Sequence, residues 1–257
     1  MIVKTHISSL WLTPSTDGIQ RIGHLLDAAP AGTEIFFRAD DVAVPSNNCH
    51  QMMDLFITHG IPLHMAVTPA WLTQARWDIL IHWAGDSPVF CWHQHGWQHR
   101  SHQTSGKNSE FGDQRPTSDK RTALKKGRDR LNSIMGESFY PAFTPPWNRF
   151  DAQTGEALIE LGYACVSRSA GEQRKVPLPD TLPDIPINVD LHTRNETNSV
   201  QGWDALAKEF EDAIQTGNVG VMLHHQRMNQ AAIDFLDTCL SHIANHSAIK
   251  HRRFDTP

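Results

Sequence analysis

Seven short apolar runs, rich in β-branched and aromatic residues and mostly separated by stretches with helical spacing, constrain this chain more than any other feature. They are 34–42 (EIFFRADDV), 62–69 (PLHMAVTP), 88–96 (PVFCWHQHG), 139–146 (FYPAFTPP), 163–169 (YACVSRS), 184–191 (DIPINVDL) and 219–225 (VGVMLHH). Helix-compatible segments lie at 46–60, 70–84, 117–135, 151–162, 201–216 and 228–245, several opened by a start signal such as Ser46, Thr117, Asp151 or Asn229. Strands alternating with helices in this way predict a parallel sheet with crossover helices, hence an α/β fold. At 257 residues the chain fits a single α/β barrel. No repeat, low-complexity tract or linker divides it, so one domain over 1–257 is expected. Two segments read as long loops: 101–116, which is polar, and 170–184, which contains three prolines.

Charge and cysteine usage narrow the partners. With 23 basic against 28 acidic residues and a net charge of −5, the chain has no basic stripe for nucleic acid. Nothing approaches the ~18 consecutive apolar residues of a membrane span. Cys49, Cys91, Cys165 and Cys239 are widely separated and form no metal-binding pair, which fits reduced structural thiols. The amino-terminal stretch lacks the long apolar core of a secretory signal, and a cytoplasmic location is the expectation.

The informative pattern is where the polar residues fall. Nearly every run begins apolar and ends in chemically active side chains: Asp40 and Asp41; His93, His95 and His99; Trp147 and Arg149; Asp190; His224 and His225. In a parallel barrel all carboxyl ends of the strands open on one face, so these segments converge on one mouth. Four of the chain's sixteen histidines fall within 91–102. His95 and His99 are four apart, and on helix-like backbone both imidazoles would face one side and share a metal; a polar loop with no metal is the alternative. Two adjacent carboxylates near a core repel one another and lose hydration, which a divalent cation would relieve, although a strand-ending Asp can also cap a helix.

Taken together, these residues resemble the NodB-type polysaccharide deacetylase superfamily, the family 4 carbohydrate esterases. RADDV at 38–42 is similar to the family's T-F-D-D-G motif, HGWQH at 95–99 to its H-S/T-x-x-H motif, TPPW at 144–147 to its arginine-Pro-Pro-aromatic element, and MLHH at 222–225 to its closing L-x-H element. The resemblance spans about 38–225 and implies a distorted (β/α)7 barrel. It also implies metal-dependent hydrolysis of an acetamido group on a small-molecule or oligosaccharide substrate. Carried over by position, Asp40 would be the catalytic base, His224 the general acid, and Asp41, His95 and His99 the ligands of one divalent ion. Zinc is the expected metal, with nickel, cobalt or manganese as alternatives. Pro146 and Trp147 would line the sugar groove. Arg149 and His225 are further candidates beside the substrate; His225 alternates with His224 along the strand, and a register shift of one residue would exchange their roles.

The chain departs from the family pattern at three places: Val42 replaces the glycine after the aspartates, Gly96 the small hydroxyl residue of the second motif, and Thr144 the arginine before the prolines. That arginine normally supports the base. Arg38 projects from the same strand to the same side as Asp40 and is expected to replace it, with Arg149 as the alternative; the competing reading is that Arg38 serves an acidic group on the substrate or pairs elsewhere in the core. His93 reads as an inner-layer group or a buried structural histidine, His102 is unassigned, and Asp190 either holds a histidine or caps a turn. Trp92 and Trp97 read as packing. Competing functional readings are a deacylase or deformylase of a non-carbohydrate amide, an iron oxygenase, and a catalytically degenerate homologue that binds sugar without turnover.

Overall fold

The computed structural model describes residues 6–173 and 175–255. Two helices come first, α1 (Ser9–Leu12) and α2 (Thr16–Asp27). There follow β1 (Glu34–Val42), α3 (Asn47–His59), β2 (Leu63–Val67), α4 (Gln74–Ala84), β3 (Phe90–His95), α5 (Thr117–Met135), β4 (Phe139–Thr144), α6 (Ala152–Glu160) and β5 (Cys165–Val166). The chain ends with a short helix α7 (Ala170–Gln173), β6 (Val189–Asp190), α8 (Ser199–Thr216), β7 (Asn218–Leu223), α9 (Gln230–Asn245) and a two-residue strand β8 (Lys250–His251). All strand pairs are parallel, in the order β5-β4-β3-β2-β1-β7-β6, with β8 on β1. Neighbours in sequence are therefore neighbours in the sheet, except where β7 and β6 add on the far side of β1.

This is the distorted seven-stranded barrel. Between β5 and β6 the ladder is not continuous, but backbone bonds still close the ring: Val166 N–H donates to Pro183 O, Ile185 N–H to Val166 O and Ile187 N–H to Arg168 O, each at 2.8 Å. The run expected at 184–191 is thus extended chain, of which only Val189–Asp190 forms a regular strand. Prolines at 183 and 186 supply no N–H, so a regular ladder cannot propagate there.

The helix boundaries follow local chemistry. Ser46, Asp151 and Asn229 each accept a backbone N–H of the first turn, so these start signals act as caps. Thr117 is instead the first helical residue of α5, after Pro116. Helices α1 and α2 precede the first strand and are not anticipated by the strand-helix alternation. Ser15 caps α2, whose buried face carries Ile22 and Leu26.

Strand alternation divides the interior in two. On β1, Ile35, Phe37 and Ala39 point outward into the main core with Phe56, Leu206, Phe235 and Leu236 of the surrounding helices. Phe36 points inward, into a smaller cluster with Cys91, Ala142, Cys165, Ile187, Met222 and Phe254. Phe254 stacks on the buried His64 at 3.9 Å and plugs the amino-terminal end of the barrel, leaving the carboxyl end for chemistry. All four cysteines are buried free thiols. Among the described residues, no helix is long and apolar enough to cross a membrane.

Gly220 on β7 shows how tightly the inner layer packs. A Cβ there would lie 2.3 Å from Pro186 O and 2.6 Å from the Phe36 ring, so the position tolerates only glycine. Gly220→Ala should cost roughly 1–3 kcal/mol through overpacking, read as a lower urea midpoint at unchanged slope. An unchanged midpoint would show that the inner layer yields at no cost.

Candidate active site

Adjacent residues on a regular strand face opposite sides, so Asp40 and Asp41 could not both reach the barrel mouth if β1 were regular. It is not. Ala39 pairs with Met65 and Val42 with Val67, so β1 takes three steps where β2 takes two. The extra residue is a bulge, and Asp41 sits in it with φ 60°. Both carboxylates consequently line one cavity of about 710 Å³, together with His95, His99, Trp147, Asn148 and His224.

His95 ends β3 and is fixed by its other ring nitrogen. Thr144 O lies 3.0 Å from His95 Nδ1, and because a carbonyl only accepts, Nδ1 carries a proton and, in the neutral ring, Nε2 presents its lone pair to the cavity. That Nε2 lies 3.2 Å from Asp41 Oδ1, and His99 Nε2 is also 3.2 Å from the same oxygen. The donor atoms of Asp41, His95 and His99 lie within 4.8 Å of one another, and Asp41 Oδ1 is buried without a hydrogen-bond donor. Burial works to raise the Asp41 pKa, but the imidazoles of His95, His99 and His224 outweigh it and hold the carboxyl well below the usual range. An ionised oxygen 3.2 Å from two imidazole nitrogens fits a divalent cation with nitrogen and oxygen ligands, bound in place of the imidazole protons on that side.

No helix follows β3, so His99 does not reach the site in the way the four-residue spacing suggests. A turn brings it there instead, with positive φ at Gly96 (58°) and His99 (55°). A Cβ on Gly96 would fall 2.3 Å from Glu110 Oε2 and 2.5 Å from Pro146 Cγ, so glycine is required here for space as well as for backbone shape. Glu110 is fully buried and accepts the backbone N–H groups of Trp97 (3.1 Å), Gln98 (2.8 Å) and His99 (3.2 Å). The His99 ring packs against Trp147, with centroids 4.4 Å apart.

Asp40 is held by Arg38. The guanidinium forks onto the carboxylate, Nε to Oδ1 at 2.7 Å and Nη2 to Oδ2 at 2.8 Å. Its remaining donors reach Ser167 O (2.9 Å), Ser167 Oγ (2.8 Å) and Asn148 Oδ1 (2.7 Å), so every guanidinium nitrogen has an oxygen partner. Burial pushes the Asp40 pKa up, but Arg38 foremost, then His95 and His224, bring it below the usual carboxylate value. Arg149, the alternative partner, pairs with Glu172 at 3.2 Å while lining the same cavity. Thr144, where the family pattern has arginine, bonds His93 Nε2 through its hydroxyl at 2.9 Å.

The other sequence-derived positions separate into two groups. His224 lines the cavity, its Nε2 4.0 Å from Asp41 Oδ2, and its backbone N–H donates to His192 Nδ1 at 3.2 Å. His225, expected beside the substrate, is 1% exposed and off the cavity wall. It occupies the turn after β7, where Asn48 donates to its carbonyl, and burial pushes its pKa down to about 4. Pro146 is also buried behind the wall, against Gly96, whereas Trp147 and Arg149 line it. His93 is a buried inner-layer residue, and His102 lies away from the cavity. Asp190 lines the cavity but touches neither His224 nor His225; its Oδ1 accepts the N–H groups of His192 and Thr193 at 2.9 Å, capping a turn. Asn148, Ser167 and Glu110 belong to the site and were not among the sequence candidates. Each is a single polar residue in a loop or at a strand end, with no local signal to mark it.

Removing Arg38 leaves a buried carboxylate unpaired. Arg38→Met should therefore destabilise the protein by about 3–5 kcal/mol, and the double variant Arg38→Met/Asp40→Asn should recover much of that loss in urea unfolding. In the single variant, burial dominates at Asp40 and its pKa rises above the unfolded value. Its deficit should then be greatest near neutral pH and shrink as acid protonates the group. A pH-independent deficit would point to lost packing instead.

No family model and no curated protein matches this sequence. Solved structures do match its fold. A Mycobacterium smegmatis protein described as a polysaccharide deacetylase superimposes with a TM-score of 0.63 at 14% identity, over 96% of this chain and 91% of that one. A family 4 carbohydrate esterase pseudoenzyme from Bacillus anthracis gives 0.52 at 10% identity, over 85% of this chain and 63% of that one. The family 4 carbohydrate esterase of Streptomyces lividans, solved with acetate, gives 0.50 at 11%, over 88% and 94%. The chain has the NodB-type fold of the family 4 carbohydrate esterases.

Proposed function

We propose that this protein is a metal-dependent hydrolase that removes an N-acetyl group from a sugar or sugar-containing precursor. The observation that carries the reading is the convergence of Asp40, Asp41, His95, His99 and His224 on one cavity, on a fold shared with carbohydrate deacetylases. Asp41, His95 and His99 would hold one divalent ion, and their two-nitrogen, one-oxygen donor set favours zinc, with nickel, cobalt and manganese as alternatives. When bound, such an ion supplies Lewis acidity, polarising an amide carbonyl and lowering the pKa of water.

The remaining chemistry belongs to the chain. Asp40, ionised and aligned by Arg38, takes a proton from water as its oxygen bonds to the amide carbon. His224, across the cavity, gives a proton to the departing nitrogen as the C–N bond breaks, releasing acetate and an amine. Trp147 and Arg149 form part of the wall against which the sugar would rest.

The pseudoenzyme among the structural neighbours makes the degenerate alternative concrete. Turnover is supported instead by the bidentate contact of Arg38 with Asp40 despite Thr144, and by the shared cavity of Asp40, Asp41, His95, His99 and His224. We also propose a cytoplasmic setting, supported by four buried free cysteines.

Purified protein loaded with zinc should release acetate from N-acetylated sugars and lose that activity on chelation. Asp40→Asn and His224→Ala should each lower kcat by roughly 10²–10⁴-fold while retaining one metal per chain by elemental analysis. Loss of metal in the His224→Ala variant, or a loaded protein that releases no acetate from any N-acetylated sugar, would defeat this reading. Each of Asp41→Ala, His95→Ala and His99→Ala should abolish stoichiometric metal uptake.

A further inference from the structure

Behind the cavity wall, and off its lining, lies a buried acid. Glu110 lies in the otherwise polar 101–116 segment, yet residues 109–112 are buried. Among the described residues its carboxylate has no ion-pair partner. Arg115, the nearest guanidinium bonded to this residue, donates to the Glu110 backbone carbonyl at 3.1 Å, not to the side chain. The negative charge is instead met by three consecutive backbone N–H groups, those of Trp97, Gln98 and His99. Hydrogen bonds to an ionised acceptor are stronger than neutral ones, and three on successive amides fix the path of the chain between them.

We propose that Glu110 is a positioning residue for His99: it holds the 96–99 turn in its ligand-presenting shape before any ion arrives. This rests on reading Asp41, His95 and His99 as the metal ligands. Two further observations support it. His99 has a positive φ, a conformation a non-glycine residue keeps only when its surroundings impose it, and Glu110 accepts that residue's own N–H. Gly96 has no room for a side chain because Glu110 Oε2 would lie 2.3 Å from its Cβ, so the carboxylate occupies the space that the family's hydroxyl residue would take.

Glu110 is itself anchored. Ser109 Oγ donates to Arg149 O at 3.2 Å, Phe111 bridges to Phe150 and is fully buried, and Asp151 N–H donates to Phe111 O at 3.0 Å. The same three-residue segment therefore ties the His99 turn to the loop that carries Trp147 and Arg149.

The test uses two independent measurements. In metal-free wild-type protein, the amides of Trp97, Gln98 and His99 should already be protected from hydrogen exchange, and zinc should change their rates by less than about tenfold. In Glu110→Gln, which keeps the size but turns an NH2 toward the turn's amides, cobalt affinity by chelator competition should fall roughly ten- to hundredfold. The visible bands of bound cobalt should shift, and Glu110→Asp should fall between the two. Unchanged cobalt affinity and bands in Glu110→Gln would overturn the proposal. So would amides that exchange like an open loop until metal is added, a result that stands even if the variants fail to fold. A wild-type chain that takes up no cobalt would count against the ligand assignment, while the exchange rates would still decide the role of Glu110.

Discussion

The ion pair between Arg38 and Asp40 sets the terms for the rest of the site. Both side chains are almost wholly buried inside the barrel, where either charge alone would be strongly unfavourable. The pair is tolerated because its geometry is bidentate and because Ser167 and Asn148 take up the guanidinium's remaining donors. Those partners come from β1, the end of β5 and the loop after β4, so satisfying one arginine fixes three separate segments relative to each other. The base of the proposed reaction is thus held by a network that spans the barrel.

Backbone strain follows the same geography. Among the described residues, the four non-glycine positions with positive φ are Asp41, His99, Trp147 and Asn148. All four line the cavity. Each such position costs on the order of 1–3 kcal/mol and persists only where the surroundings impose it, and three of the four have an identifiable restraint or purpose. The bulge turns Asp41 to the same mouth as Asp40, Glu110 holds His99, and Asn148 accepts from Arg38. The strain places side chains where regular strands and turns would not.

Much of the fold was legible because a parallel α/β chain writes its periodicity locally. The expected run at 34–42 coincides with β1, and the helix at 117–135 with α5. The 184–191 run was harder, since Pro183 and Pro186 interrupt its ladder, and α1 and α2 lie outside the alternation that revealed the others. At the site, the spacing of His95 and His99 pointed to one metal, but the helix assumed to bring them together is a turn. His224 and His225 could be separated only by where β7 ends: His224 still follows the inward alternation of Gly220 and Met222, while His225 has entered the turn packed on α3.

What the sequence determined by itself was the order of the strands and of most helices between them, the face on which the polar side chains gather, and the placement of Arg38 and Asp40 on one side of their strand. All three depend on short-range rules: strand alternation, crossover connection and the two-residue repeat along one strand. What only the tertiary structure decided was how Asp41 joins Asp40 on the same side, which residue shapes the His99 turn, and which neighbours complete the shell of Arg38. A bulge depends on the partner strand as much as on its own residues. A carboxylate eleven residues beyond His99 gains its role only when the chain folds back to place three backbone amides around it.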